Sequence, residues 1–131
     1  MKQLKILLAL LLLASQTNLL AAGRDPQIIP VSANETVQAV ISLKEPSRIA
    51  VEGGRIRAMD YRAGAVDVKE DKFTGEIRVV PPENDRSPIN MCITTERGDT
   101  YTLLLTVSDL PAQTVMLRDA AYVKSSVMTS A

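Results

Sequence analysis

Three groups of residues in this chain have types and spacings that invite a chemical reading. The carboxylates of Glu70-Asp71 with Glu76 lie close in sequence, and calcium takes several converging oxygens. Lys69 and Lys72 are interleaved with them, which is the pattern of a solvated hairpin end. Cys92 is the only cysteine; one thiol builds neither an internal disulfide nor a zinc site of the usual kind. In the strand-like run Pro88 to Ile93 it reads as a small buried hydrophobe. Arg97-Gly98-Asp99, in a secreted protein, reads as a cell-adhesion signal. Histidine is missing altogether, and with it the commonest general base and transition-metal ligand. No phosphate-binding loop, dinucleotide fingerprint or nucleophile elbow occurs. Catalytic, cofactor-binding and metal-binding residues are therefore expected to be none, and the expected activity is binding to other proteins.

The first 22 residues, MKQLKILLALLLLASQTNLLAA, place Lys2 and Lys5 before an apolar run and end in Ala21-Ala22. This is the layout of a secretory signal peptide, cut after Ala21 or Ala22. The apolar run breaks at Ser15-Gln16-Thr17-Asn18, short of the roughly 20 residues that a membrane-spanning helix needs. No transmembrane segment is expected after cleavage. Removing Lys2 and Lys5 turns 15 basic against 15 acidic residues into 13 against 15. A charge of about −2 argues against direct nucleic-acid binding, where a basic patch is expected. Scarce aromatics, Phe73 with Tyr61, Tyr101 and Tyr122 and no tryptophan, leave little for stacking on bases.

The remaining chain reads as all-β, an antiparallel sandwich or small barrel of about eight or nine short strands. The runs are 27–31, 36–43, 48–51, 55–61, 65–69, 75–80, 89–95, 100–107 and 114–117, with turn signals such as Gly53-Gly54, Asp71-Lys72 and Pro81-Pro82 between them. Residues 23–118 form the expected domain, and 119–131 a tail that is frayed or begins a further domain. Alternation puts Val37, Ala39, Ile41 and Leu43 on one face, and Tyr101, Leu103, Leu105 and Val107 on another. Val40 and Leu104 interrupt the polar faces behind them and read as ordinary surface. The polar connection 82–88 also reads as solvated, although loops often carry binding function.

Hairpin parity decides the tripeptide. A two-residue turn of Gly98-Asp99 sets Tyr101, Leu103 and Leu105 opposite Glu96, Thr94 and Cys92, so the apolar faces disagree. A three-residue loop of Glu96-Arg97-Gly98 sets Ile93 opposite Tyr101, Met91 opposite Leu103 and Thr94 opposite Thr100, and the faces agree. Gly98 then takes the left-handed position of a type I turn with a G1 bulge. Gly98 closes the turn and Asp99 opens the next strand, so the tripeptide is not read as one ligand.

In order along the chain come Val51-Glu52-Gly53-Gly54-Arg55-Ile56, Thr74-Gly75-Glu76-Ile77, Thr94-Thr95-Glu96-Arg97-Gly98 leading into Tyr101-Thr102-Leu103, and Leu110-Pro111-Ala112-Gln113-Thr114. With these motifs the stretch from Ile28 to Leu117 resembles the N-terminal domain of the TraK family, the secretin-like periplasmic component of F-type conjugative type IV secretion systems. The resemblance implies a β-sandwich in an outer-membrane core complex, a ring-forming homo-oligomer only within that complex, assembled with a TraB-like scaffold and a TraV-like lipoprotein. Family members usually continue into a second β-domain, so a truncated copy or a separately supplied half is expected. The partner-binding residues are unknown from sequence. The alternative expectation is a stand-alone periplasmic module that takes a peptide or small ligand at a strand edge.

Overall fold

The computed structural model describes residues 25–122. The expected signal peptide and positions 123–131 of the expected tail lie outside them. Nine strands follow one another: β1 (Gln27–Val31), β2 (Thr36–Ser42), β3 (Ser47–Val51), β4 (Ile56–Tyr61), β5 (Asp67–Asp71), β6 (Glu76–Val80), β7 (Ile89–Thr95), β8 (Thr100–Ser108) and β9 (Thr114–Asp119). They form two layers, a five-stranded sheet in the order β1-β9-β3-β6-β5 and a four-stranded sheet in the order β2-β8-β7-β4. The fold is an all-β sandwich and not a closed barrel.

Both sheets are mixed, where an antiparallel sandwich was expected. β1 and β3 flank β9 in parallel, and β2 runs parallel to β8. A period of two tells which face a residue takes and is silent on which strand lies beside it. Gln27 pairs with Val115 and Thr36 with Thr102, partners that local turn chemistry does not connect.

The core fills the space between the layers with the residues that alternation selects. Ile41, Ile49, Ile93, Tyr101, Leu103, Leu105, Val115 and Leu117 are all fully buried. Cutting one such leucine back to alanine removes about 2–5 kcal/mol. β5 runs two residues beyond its expected end at Lys69, because Asp71 pairs with Glu76 instead of serving only as turn punctuation. β9 likewise runs on to Asp119.

The β7–β8 hairpin has the three-residue register. Ile93 pairs with Tyr101, Met91 with Leu103 and Thr94 with Thr100. The Gly98 N–H donates to the Thr95 carbonyl at 2.9 Å, and the Thr95 N–H donates to the Asp99 carbonyl at 2.9 Å. Gly98 has φ +92° with open space where a Cβ would stand, so a substitution there is opposed by backbone conformation alone. Cys92 follows from the same register. It lies on the outer face, half-buried, with Sγ 3.8 Å from Thr102 Oγ1, and is not the core residue its type suggested. Gly98→Val is expected to destabilise by at least about 1–2 kcal/mol, lowering the melting temperature by roughly 5–10 °C. Asp99→Ala should stay within about 0.5 kcal/mol. Circular-dichroism melts of both variants check the pair, and equal small shifts would contradict the register.

Candidate functional site

The residues of the sequence motifs divide between the two ends of the sandwich. One end carries the β3–β4, β5–β6 and β7–β8 turns and the exit from β9; Arg55 ties the three turns together. Its guanidinium donates to the carbonyls of Lys72 at 2.6 Å and Phe73 at 3.1 Å, and its Nε lies 3.3 Å from Glu96 Oε1. The backbone repeats the link: the Ile56 N–H donates to the Gly75 carbonyl, and the Glu96 N–H to the Arg55 carbonyl. Arg55 thereby fastens a hairpin of the five-stranded sheet to a hairpin of the four-stranded one.

Asp71 holds the β5–β6 turn from inside. Its Oδ1 accepts the N–H groups of Phe73 at 3.0 Å and Thr74 at 3.2 Å. These bonds, Thr74 first, keep the carboxyl below its ordinary value of 3.8. A lowered folded-state value means that the stabilisation is present above 3.8 and is lost as pH falls through the lowered value. Gly75 completes the turn at φ +77°, where a Cβ would stand 2.7 Å from that of Arg55. Phe73, the chain's one phenylalanine, stands 92% exposed at the tip.

Two buried tyrosines bind the layers at the same end. The Tyr101 hydroxyl donates to Asp119 Oδ2 at 2.6 Å, and the Tyr122 hydroxyl bonds Thr95 Oγ1 at 2.6 Å. Burial, then the Asp119 bond, pushes the Tyr101 phenol far above its ordinary range, so it remains a donor. A helical turn at 120–122 follows β9; its Tyr122 is 4% exposed. Arg97 lies over the Tyr122 ring at 4.2 Å, a cation–π contact. The adhesion tripeptide is thus divided between a ring contact, a left-handed turn and Asp99, which stands one residue before β8 and accepts the Thr95 N–H with its carbonyl.

At the opposite end Leu110 to Thr114 enter a polar network. Ser42 Oγ donates to the Leu110 carbonyl at 2.6 Å, and Ser47 Oγ accepts the N–H groups of Ser42 and Gln113. A groove of about 520 Å³ opens nearby between the β4–β5 and β6–β7 connections, lined in part by Arg62, Gly64, Asp85, Ser87 and Asn90. Asp85 already accepts the Ser87 N–H at 2.9 Å, which lowers its pKa. The 82–88 connection therefore holds its own shape.

Glu70, Asp71 and Glu76 do not converge. Asp71 and Glu76 are cross-strand partners, whereas Glu70 sits opposite Ile77 and so faces the other way. Among the described residues no cluster of histidine, cysteine or acidic side chains is placed to hold a metal ion.

Each sheet edge is blunted against strand addition. β1 contains Pro30, which offers no N–H. β4 is bulged between Ile56 and Ala58, and β5 is short and charged. At β2, the Gln27 amide occupies the edge: Nε2 donates to the Val40 carbonyl at 2.8 Å, and Oε1 accepts the Val40 N–H at 3.0 Å. This clamp joins the two sheets, and nothing in the local sequence pattern announces it. Val40 and Leu104 are both half-buried on the outer face of the four-stranded sheet, where they lie diagonally, Val40 opposite Thr106 and Leu104 opposite Gln38.

A family model described as the TraK N-terminal domain matches residues 30–125, a span that takes in all the quoted motifs. No curated protein matches the chain. For the Arg55 tie, Arg55→Ala is expected to cost about 1 kcal/mol and to speed amide exchange at Phe73, Gly75 and Glu96. Arg55→Lys should not restore protection, because one ammonium cannot reproduce the fork that spans two carbonyls and a carboxylate. Hydrogen exchange unchanged in Arg55→Ala would contradict the role.

Proposed function

The chain belongs to the TraK family as an N-terminal domain, and we propose that it is a structural subunit of the outer-membrane core complex of a conjugative type IV secretion system. The family is a structural component of conjugation. The finer reading is that the chain acts in the periplasm after signal cleavage, by assembling with a TraB-like scaffold and a TraV-like lipoprotein in a ring. The family match over residues 30–125 carries this reading. The physical character of the motifs supports it: Arg55, Gly75, Glu96 and Gly98 build turns and ties between turns, and none forms a nucleophile–base pair. No helix of the described residues is long and apolar enough to cross a membrane.

The strand-edge alternative has less to work with, since Pro30, the Gln27 clamp, the β4 bulge and the charges of β5 blunt all four edges. Assembly through faces and turn ends is favoured instead. Deleting the gene is expected to reduce DNA transfer from its host to background, with recovery when the full chain is supplied in trans. Envelope extracts should yield the chain together with the scaffold and the lipoprotein. Unimpaired transfer in the deletion strain, or a chain that purifies free of both, would overturn the assignment.

A further inference from the structure

Phe73 stands 92% exposed at the tip of the β5–β6 turn, where a phenyl ring adds nothing to the core and lowers solubility. The turn nevertheless holds it in one place. The Asp71 carboxylate accepts the N–H groups of Phe73 and Thr74, and the Asp71 carbonyl accepts the Gly75 N–H at 2.8 Å. The Arg55 guanidinium, which reaches in from outside this hairpin, takes the carbonyls of Lys72 and Phe73. Gly75, at φ +77°, lies so close to Arg55 that a Cβ would stand 2.7 Å from the arginine's own. Glu96 in turn holds the Arg55 Nε. Arg55, Gly75 and Glu96 all belong to the quoted motifs.

Burying this tip is therefore cheap. Its donors at Phe73, Thr74 and Gly75 and its acceptors at Lys72 and Phe73 already have partners inside the chain, so removing water does not orphan them. The backbone around the ring is fixed before any contact, and little conformational entropy is left to lose. Aromatic side chains are enriched in interface cores, and the residues that carry most binding energy are those that fill well-packed, desolvated pockets.

We propose that Phe73 is a docking anchor, its ring inserting into an apolar pocket of a different protein of the assembly. The inference rests on the assembly role proposed above. The surroundings of the ring select that occupant. Glu70, Asp71 and Glu76 lie within three residues of it, and an anionic lipid surface repels carboxylates. A single phenyl ring also buries too little to hold a domain on a bilayer. A second copy offers no seat in the groove at the opposite end, whose walls include Arg62, Asp85, Ser87 and Asn90; a phenyl ring there would strip water from polar groups and give them no partner. An apolar pocket in another chain fits the tip, and it leaves the faces of both sheets free for neighbours in a ring.

Benzoylphenylalanine placed at position 73 of the full chain, in its host, tests the anchor directly. Irradiation should join it to one protein other than itself, and Phe73→Ala should remove that same protein from the purified chain. Because the ring touches little of its own fold, Phe73→Ala is expected to leave the melting temperature unchanged. In the deletion strain it should restore DNA transfer at least about tenfold less well than the native chain. Phe73→Leu, which keeps an apolar tip, should recover part of that loss, and Lys69→Glu on the same hairpin should change neither the adduct nor transfer. An adduct with a second copy, the lack of any adduct, or full complementation by Phe73→Ala overturns the inference. Sedimentation of the purified chain with phosphatidylethanolamine–phosphatidylglycerol vesicles that depends on Phe73 overturns it in favour of a lipid surface. If the deletion strain transfers DNA unimpaired, the conjugative reading falls, and the crosslinked partner still decides whether Phe73 is an anchor.

Discussion

The parity of one turn governs the rest of the sandwich. Because strand side chains alternate, an odd shift in the β7–β8 pairing exchanges every inward residue of one strand for its outward neighbours. Gly98 at φ +92° permits the three-residue loop, and that loop puts Ile93 and Tyr101 inside together. From there Tyr101 reaches Asp119 and Thr95 meets Tyr122, the two buried bonds that join the layers at that end. The same parity sends Cys92, Thr94, Thr100 and Thr102 outward. A single left-handed glycine thus underlies the core and the cross-sheet ties.

Polar ties between the layers recur at both ends of the sandwich. The Gln27 amide satisfies both polar groups of Val40 at an edge, the Ser47 hydroxyl joins Ser42 to Gln113, and Arg55 takes two turn carbonyls. Apolar packing tolerates sliding of one sheet over the other. Directional bonds at both ends oppose it. Surfaces fixed before association lose less entropy on binding, so this rigidity suits the proposed assembly role. The family motifs mark the Arg55 tie and the turns around it, which fits a family whose members are structural parts of conjugation.

Much of this was legible beforehand. Strand positions followed from β-branched runs and turn residues. The hairpin register followed from a test of which loop length keeps Tyr101, Leu103 and Leu105 opposite apolar partners. The expectations that failed were those taken from residue type alone. Cysteine is usually buried, yet Cys92 sits on the outward side of a strand whose register already implied as much. Asp71 resembled turn punctuation, yet it ends β5 and caps the turn with its own carboxylate. Ahead of residue 123, Asp119 and Tyr122 are both held by buried hydroxyl bonds; the rest of the expected tail lies outside the described residues.

By itself the sequence determined the all-β class, the inward and outward sides of the clearest strands, the parity of the β7–β8 turn and the family motifs. These are local matters, set by a period of two and by the φ preferences of glycine and proline. Only the tertiary structure decided which strands are neighbours. That choice made both sheets mixed, placed Gln27 beside Val40, and gathered three turns around Arg55. Such features join residues as far apart in the chain as Gln27 and Gln113. They depend on which strands pack together, and the alternation of any one strand carries no record of its neighbour.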